Sequence, residues 1–521
     1  MSFRNLICLI VVLAITGVST AIAGLDDWSH YGHVGARHCI AVDGPNRVDS
    51  STLEWIADED PQAPTYYVEF EGATGVVVYN GKVYAYAKYY NELGEYTDSQ
   101  IIAYDANSGQ ILWATAIDKA IWDSWSTPCV DTKHNTVLIG SGDKVFCLDA
   151  QSGTQQWVRQ LEKIVINASV CTALDIPHTR AFITDYDGFG TSGELYCINL
   201  DPNDSNNPYE PGDIVWSAVL GATSGNTSAY KNGVVYTASI KGTANTYGAI
   251  HAYDATAEPN PIKLWEITDP NFEGFTGGVT VTKEGFLYAV NYDWADQNED
   301  NSGFCKIDCN DGSIVWITQT ERTSTMPVVV GDKIYISGGI ADDPPWFSGS
   351  RPKVTAYQDI GSSVVKLWET PSGLGVGGWM KQPAYANGKL YVGAAPEHGD
   401  YFGIYSHLYI IDVALTPDDE GFIVDRYRDR YCGNSPAVTY DSIYTIGNDG
   451  LNEGLFKFHQ QALLGDIAEN GRVDIQDLVE MTGEWLFDGP IGTNRCDLNL
   501  DGIVNMIDFS LLANDWQQDI N

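Results

Sequence analysis

Two acidic stretches near the C-terminus have the residue types and spacing to hold a hard cation. Asp497, Asn499, Asp501, Asn505 and Asp508 stand at positions 1, 3, 5, 9 and 12 of one loop. Gly502 at position 6 allows the sharp turn, and Ile503 at position 7 offers its carbonyl. An all-oxygen set at these positions is what Ca2+ takes. Thirty-one residues upstream the pattern returns as Asp466, Asn470, Gly471, Arg472 (through its carbonyl), Asp474 and Asp477. Position 3 of this earlier loop is Ala468, which has no side-chain oxygen. The first site is therefore expected to be the weaker, or to lean on water or on Glu469. Each loop is followed by an apolar stripe at helical spacing, Leu478, Met481 and Trp485, then Phe509, Leu512 and Trp516.

A second set of residues does chemistry only if the fold gathers it. Trp122, Trp125, Trp294, Trp346 and Trp379 lie outside the chain's repeated phrase, with Tyr292 and Asp293 beside Trp294. Tyr89, Tyr90, Tyr96, Phe189, Phe275, Tyr401, Phe402 and Tyr405 fall in similar places. Interleaved with them are Asp187, Asp296, Asp342, Asp343, Glu397 and Asp400. Aromatic plates suit the apolar faces of sugar rings and carboxylates suit hydroxyls, so this set is a candidate polysaccharide-binding face. A purely structural reading, in which these aromatics pin down long loops, accounts for the same residues.

The elements that must position both sets follow from the repeat. Ala103-Tyr104-Asp105-Ala106-Asn107-Ser108-Gly109 closes on Trp113, and Cys147-Leu148-Asp149-Ala150-Gln151-Ser152-Gly153 closes on Trp157. Looser copies end at Trp216, Trp265, Trp316 and Trp368. A period of roughly 40 to 60 residues in strand-rich sequence specifies a propeller. Each unit reads as four strands, with the Asp-x-x-x-Gly turn joining the third to the fourth. The closing tryptophans are expected to pack between blades. Units end near Trp113, Trp157, Trp216, Trp265, Trp316, Trp368 and Val424. An eighth is split: residues 433–459 supply three strands and Leu53-Glu54-Trp55-Ile56 the fourth. The expectation is an all-β eight-bladed propeller closed between its N- and C-terminal strands, leaving no open sheet edge. A small all-α calcium-loop domain would follow it.

On the Asp-x-x-x-Gly-x-x-x-Trp phrase and the opening Asp27-Trp28-Ser29-His30-Tyr31-Gly32-His33, residues 24–459 resemble the eight-bladed pyrroloquinoline-quinone-type, or quinoprotein-like, propellers. That family includes quinone-dependent alcohol dehydrogenases as well as cofactor-free assembly and binding proteins. The dehydrogenases carry an adjacent-cysteine disulfide, and no two cysteines here are adjacent. Pyrroloquinoline quinone is therefore not expected as a cofactor, although Trp379 and the acidic loops offer an indole floor and carboxylates. The duplicated loops resemble a type I dockerin over residues 466–517. That resemblance implies Ca2+ as cofactor and a cohesin-type protein on a scaffold or cell surface as partner. It also implies that loop positions 10 and 11 (Ile475, Gln476, Met506 and Ile507) help choose the partner.

Composition and ends complete the reading. Arg4, the apolar stretch from Leu6 to Val18 and Ala21-Ile22-Ala23 form a secretory signal, too short for a spanning helix. The expected order is a signal at 1–23, an arm at 24–52, the propeller at 53–459, a linker at 460–465 and the dockerin-like domain at 466–517. Twenty-nine basic against sixty-nine acidic residues leave a formal charge of −40, which repels nucleic acid and anionic membranes. Nine cysteines remain after Cys8 leaves with the signal, an odd count for an exported chain. A bridge between Cys305 and Cys309 would need a turn, and Cys39 with Cys432 is a further pairing open to the chain. Zinc spacing is absent from the sequence. The function expected is that of an exported, non-catalytic binding protein, its propeller facing a polysaccharide or protein and its tail docking to a cohesin. A polysaccharide-degrading enzyme or a quinoprotein oxidoreductase on the same tail is the alternative.

Overall fold

The computed structural model describes residues 27–59, 68–71, 74–91, 93–120, 124, 126–243, 246–292, 302–340, 351–394, 407–430, 432–448, 453–518 and 520. The expected signal peptide lies outside the described residues. Among those described, no helix is long and apolar enough to cross a membrane.

Alternating β-branched and aromatic segments pair into eight antiparallel blades, each with its strands side by side in chain order. Blade 1 shows the plan: Val77–Tyr79, Lys82–Tyr90, Tyr96–Asp105 and Ile111–Ile117. The last blade is shared between the chain ends, as the sequence requires. Leu53–Ala57 pairs antiparallel with Glu453–His459, Leu53 opposite Phe458 and Ala57 opposite Leu455. The ring thus closes by hydrogen bonds and leaves no unpaired edge at the seam.

Adjacent blades are joined by the repeated phrase itself. Asp105 Oδ1 accepts the backbone N–H groups of Asn107 (3.1 Å) and Ser108 (2.8 Å), and Asp149 does the same for Gln151 and Ser152. The glycine four residues on takes a left-handed φ, +68° at Gly109 and +71° at Gly153. It is also where the previous blade's indole lies. A Cβ on Gly109, Gly153 or Gly312 would come within 2.7 Å of the rings of Trp55, Trp113 and Trp265 respectively. The indole N–H then donates across the joint, Trp265 Nε1 to Cys309 O and Trp216 Nε1 to Ala257 O, both at 2.9 Å. Fourth strands slip register just before the tryptophan, between Gln155 and Trp157 and between Leu53 and Trp55, a bulge that re-aims the ring. The tryptophans of the phrase are interblade packing, as expected.

The N-terminal arm crosses the inner strands in blade order. Trp28 bridges Val78 of blade 1. Ser29 O accepts from Val130 N, Gly35 O from Tyr230 N, Ala36 O from Val281 N and Cys39 O from Tyr385 N, at 2.8 to 3.0 Å. Ile40–Ala41 then adds a parallel strand to Ala384–Ala386 of blade 7. Arg37 is wholly buried beneath the arm and spends its guanidinium on backbone carbonyls: Nε on Ser228 O (3.0 Å), Nη1 on Tyr31 O (2.7 Å) and Nη2 on Val170 O (2.8 Å). A buried charge survives only with such partners. All nine cysteines from Cys39 to Cys496 are free thiols, so neither Cys305 with Cys309 nor Cys39 with Cys432 is bridged.

Two short helices complete the chain, α1 (Ile475–Gly483) and α2 (Met506–Asn514). Leu463 and Leu464, in the stretch expected to be linker, pack into this domain's core with Ile467, Val473, Met481, Leu498, Val504 and Leu512.

Candidate functional site

The two acidic loops have nearly the same backbone. Position 6 takes a left-handed φ in both (Gly471 +81°, Gly502 +78°), and so does position 4 (Glu469 +52°, Leu500 +55°). Position-1 carboxylates fold back onto the turn. Asp466 accepts Asn470 N at 2.9 Å and Gly471 N at 2.8 Å, and Asp497 accepts Asp501 N at 3.1 Å and Gly502 N at 2.9 Å. Position 12 ties the loop's start to its end: Asp477 accepts from Ala468 N and Asp474 N, and Asp508 from Leu498 N and Asn505 N. Position 9 then caps each helix, Asp474 for α1 and Asn505 for α2, in a reciprocal capping box.

Burial makes the second loop electrostatically demanding. Asp497 and Asp508 are almost wholly buried, and burial pushes the Asp497 carboxyl up to about 6, with the neighbouring charges of Asp508 and Asp501 adding to it. Asp508 is raised by burial too. Buried carboxylates crowded together favour a proton or a cation. Asp497, Asn499, Asp501, Asp508, the Ile503 carbonyl and Asn505 through water are the donor set that Ca2+ takes, so the residues fit the ion. The first loop offers Asp466, Asn470, Asp474, Asp477 and the Arg472 carbonyl. Its Glu469 is directed elsewhere, accepting from Asn387 Nδ2 (3.2 Å) and pairing with Arg495 (3.1 Å). Among the described residues no three His, Cys, Asp or Glu side chains converge as a ready-made metal cluster. The loop carboxylates instead hold backbone N–H groups.

The halves interlock with two-fold symmetry. Val504, at position 8 of the second loop, exchanges backbone bonds with Leu486 and Phe487, which follow α1. Val473, its counterpart, does so with Gln517 and Gln518, which follow α2. This leaves the helix starts facing outward. Ile475 (57% exposed), Val479 (63%), Met506 (54%) and Ile507 (53%) present apolar side chains to solvent.

The domain is seated on the propeller. Lys283, in the first hairpin of blade 5, donates to the Asp488 carboxylate (2.7 Å) and to the carbonyls of Gly489 (3.3 Å) and Gly502 (2.9 Å). Ile491 and Leu500 pack on the propeller core, and Val42 of the arm on the domain core. In an antiparallel blade the first-to-second-strand hairpins share one end, and the second-to-third-strand and interblade loops share the other. The domain therefore covers the face opposite the candidate ligand loops.

Of the candidate ligand residues, Trp122, Trp125, Asp293, Trp294 and Trp346 lie outside the described residues, as do Asp296, Asp342, Asp343, Glu397, Asp400, Tyr401, Phe402 and Tyr405. Tyr292 and Trp379 are described, and they are buried. Their rings pack 5.2 Å apart beside Ile340 and Met380. Phe275 is buried against Phe272, whereas Phe189 is exposed. Tyr90 and Tyr96 hydrogen-bond the carboxylates of Glu69 and Glu71. The fit to pyrroloquinoline quinone is poor on the described residues. Trp379 has its ring against Tyr292 instead of presenting an open floor, and no adjacent cysteine pair exists.

Residues 464–515 match the family model of the dockerin type I domain, and residues 52–202 match one described as outer membrane protein assembly factor BamB. No curated protein matches the chain. Solved structures of similar shape include the quinohemoprotein alcohol dehydrogenase ADHIIG of Pseudomonas putida HK5, with TM-score 0.54, 11% identity, and coverage of 86% of this chain and 81% of that one. A europium-containing methanol dehydrogenase gives 0.54 at 10% identity, covering 84% and 98%. The quinohemoprotein alcohol dehydrogenase of Comamonas testosteroni gives 0.53 at 11%, covering 86% and 84%. Identities this low show the fold alone. The quinoprotein-like propeller and the type I dockerin-like tail read from the sequence are both borne out.

Proposed function

We propose that the chain is an exported binding protein whose propeller presents its loop face to a polysaccharide, while its calcium-loaded tail docks to a cohesin-type protein on a scaffold or cell surface. The observation that carries this reading is the tail: two matching loops with a calcium donor set, each opening a helix whose first residue, Ile475 or Met506, is apolar and exposed. An unpartnered apolar patch on a small domain is an interaction surface. The loops supply the oxygen atoms and the buried charge, and Ca2+ supplies the compensating charge that lets those carboxylates stay ionised. Because the tail sits on the hairpin face, docking would leave the opposite loop face open to ligand. Secretion rests on the signal-like N-terminus, and the non-catalytic role on the absence of any recognisable nucleophile, quinone or zinc constellation in the sequence.

The docking surface is tested by Ile475→Asp combined with Met506→Asp, both exposed and outside the cation donor set. Captured on an immobilised type I cohesin with Ca2+ present, the double variant is expected to bind at least tenfold more weakly while keeping its calcium affinity. Unchanged capture would remove these helix starts from the interface.

A further inference from the structure

One joint of the ring departs from the repeat, and a cleft opens where it does. On the third strand, the residue before the one facing the closing tryptophan pairs with the residue after that tryptophan. The pair is Ile102 with Ala114 in blade 1, Phe146 with Val158 in blade 2 and Tyr196 with Ser217 in blade 3. It is Cys305 with Ile317 in blade 5 and Thr355 with Glu369 in blade 6. In blade 4 it is His251 with Glu266, the only one of these six pairs to set two ionisable groups opposite each other. Blade 6 has a glutamate at the same place, Glu369, paired with Lys366 as Glu266 is with Lys263, so the buried histidine opposite the carboxylate is what sets blade 4 apart.

His251 is 2% exposed. Its Nε2 meets Ser239 Oγ at 3.1 Å, and its Nδ1 lies 3.2 Å from Glu266 Oε2 but off the line of a hydrogen bond. The buried Nδ1 thus meets the carboxylate in a close contact at the wall of a cleft. Burial keeps the imidazole neutral, and His251 and Lys263 hold Glu266 down to about 2, so the carboxylate is ionised at neutral pH. Both side chains line a cleft of about 480 Å3 between blades 3 and 4, with Thr191, Thr246, Tyr247 and Thr268. That volume lies within the ~300–1,000 Å3 of small-molecule sites. Thr191, Thr246 and Tyr247 come from second-to-third-strand loops, so the cleft opens on the ligand face.

We propose that this cleft binds a neutral polyhydroxylated ring ligand, a segment of two or three sugar residues, through Glu266, His251 and the surrounding hydroxyls, with Tyr247 against a ring face. Three threonine hydroxyls and a phenol both donate and accept, as hydroxyl groups of a glycan do, and the carboxylate accepts from a vicinal pair. Lys263 offsets the charge of Glu266, which fits a neutral ligand better than a cation. This inference rests on the polysaccharide reading above and assigns it a place.

The test is calorimetric titration of the full chain, in Ca2+, with cellotetraose, xylotetraose and mannotetraose, for the parent, Glu266→Gln and Tyr247→Ala. Both substitutions are at partly exposed side chains, and unchanged thermal unfolding establishes that the variants are folded. One tetrasaccharide is expected to bind the parent, with its Kd at least tenfold higher in each variant. Equal affinity in all three proteins would overturn the site. Trp294→Ala is titrated as a fourth protein, and a loss of affinity in it alone would leave the ligand face standing and overturn the cleft. Binding of none of the three would overturn the cleft, and retention of the full chain on an insoluble polysaccharide would then show whether the wider reading survives it.

Discussion

Single atoms decide how far the two acidic loops differ. Both have the same backbone, but position 3 is Asn499 in the second and Ala468 in the first. The first loop's nearest substitute, Glu469, is engaged by Asn387 and Arg495. Positions 5 and 9 exchange Asp and Asn between the loops (Asn470 and Asp474 against Asp501 and Asn505), so each keeps three carboxylates, and one fewer side-chain oxygen lowers affinity for a hard cation. Calorimetric titration with Ca2+ is expected to resolve a tighter and a weaker site. Asp497→Ala with Asp508→Ala should abolish the tight one, while Asp466→Ala should leave it intact and remove only the weaker. Equal losses in the two variants would refute the asymmetry. The missing oxygen was legible in the sequence, because ligand positions in such a loop are fixed by count. Where Glu469 turns was not, since Asn387 is 82 residues away along the chain.

Among the elements, the arm is the one most exposed to pH. His30 and His38 are buried beneath it, and burial, with the nearby charge of Arg37 and His33 on His30 and of His33 and Lys231 on His38, holds both well below the usual histidine range. Partly buried His33 is held at about 4. A histidine kept neutral in the fold but free to protonate when unfolded favours the unfolded chain as pH falls. The contribution of these rings should therefore be flat above pH ~6.5 and decline below it, by up to about 1.4 kcal/mol per pH unit for each, against the opposite drift of Asp185 and Asp497, which burial raises to about 6. Chemical denaturation followed between pH 7.5 and 5 checks this. The same pH dependence in His30→Asn with His38→Asn would show that these rings are not held neutral. The arm shows where sequence reading stops. The blades were legible because four joints set an indole on a turn glycine, as with Trp113 on Gly153, and that demand is written as a period. Residues 27–48 have no period of their own, since each contacts a different blade. Loop position likewise placed Tyr292 and Trp379 near one face, but only packing shows that their rings turn inward onto each other.

In the whole molecule, the tail and the candidate ligand loops lie at opposite ends of one ring. Lys283 and the apolar contacts of Ile491 and Leu500 hold the tail against the hairpin end, so the tail is a fitted part and not a tethered one. The sequence announced the tail by its duplication but not its seat, which depends on side chains more than 200 residues apart. Docking of this tail to a cohesin is expected only when its loops hold calcium. Calorimetry of the full chain against a type I cohesin, first in Ca2+ and then in excess EDTA, tests it most directly. Saturable one-to-one binding in Ca2+ that disappears in EDTA and returns on adding the ion back is the predicted result. Binding of equal strength in both solutions, or none to any type I cohesin with calcium present, would contradict it.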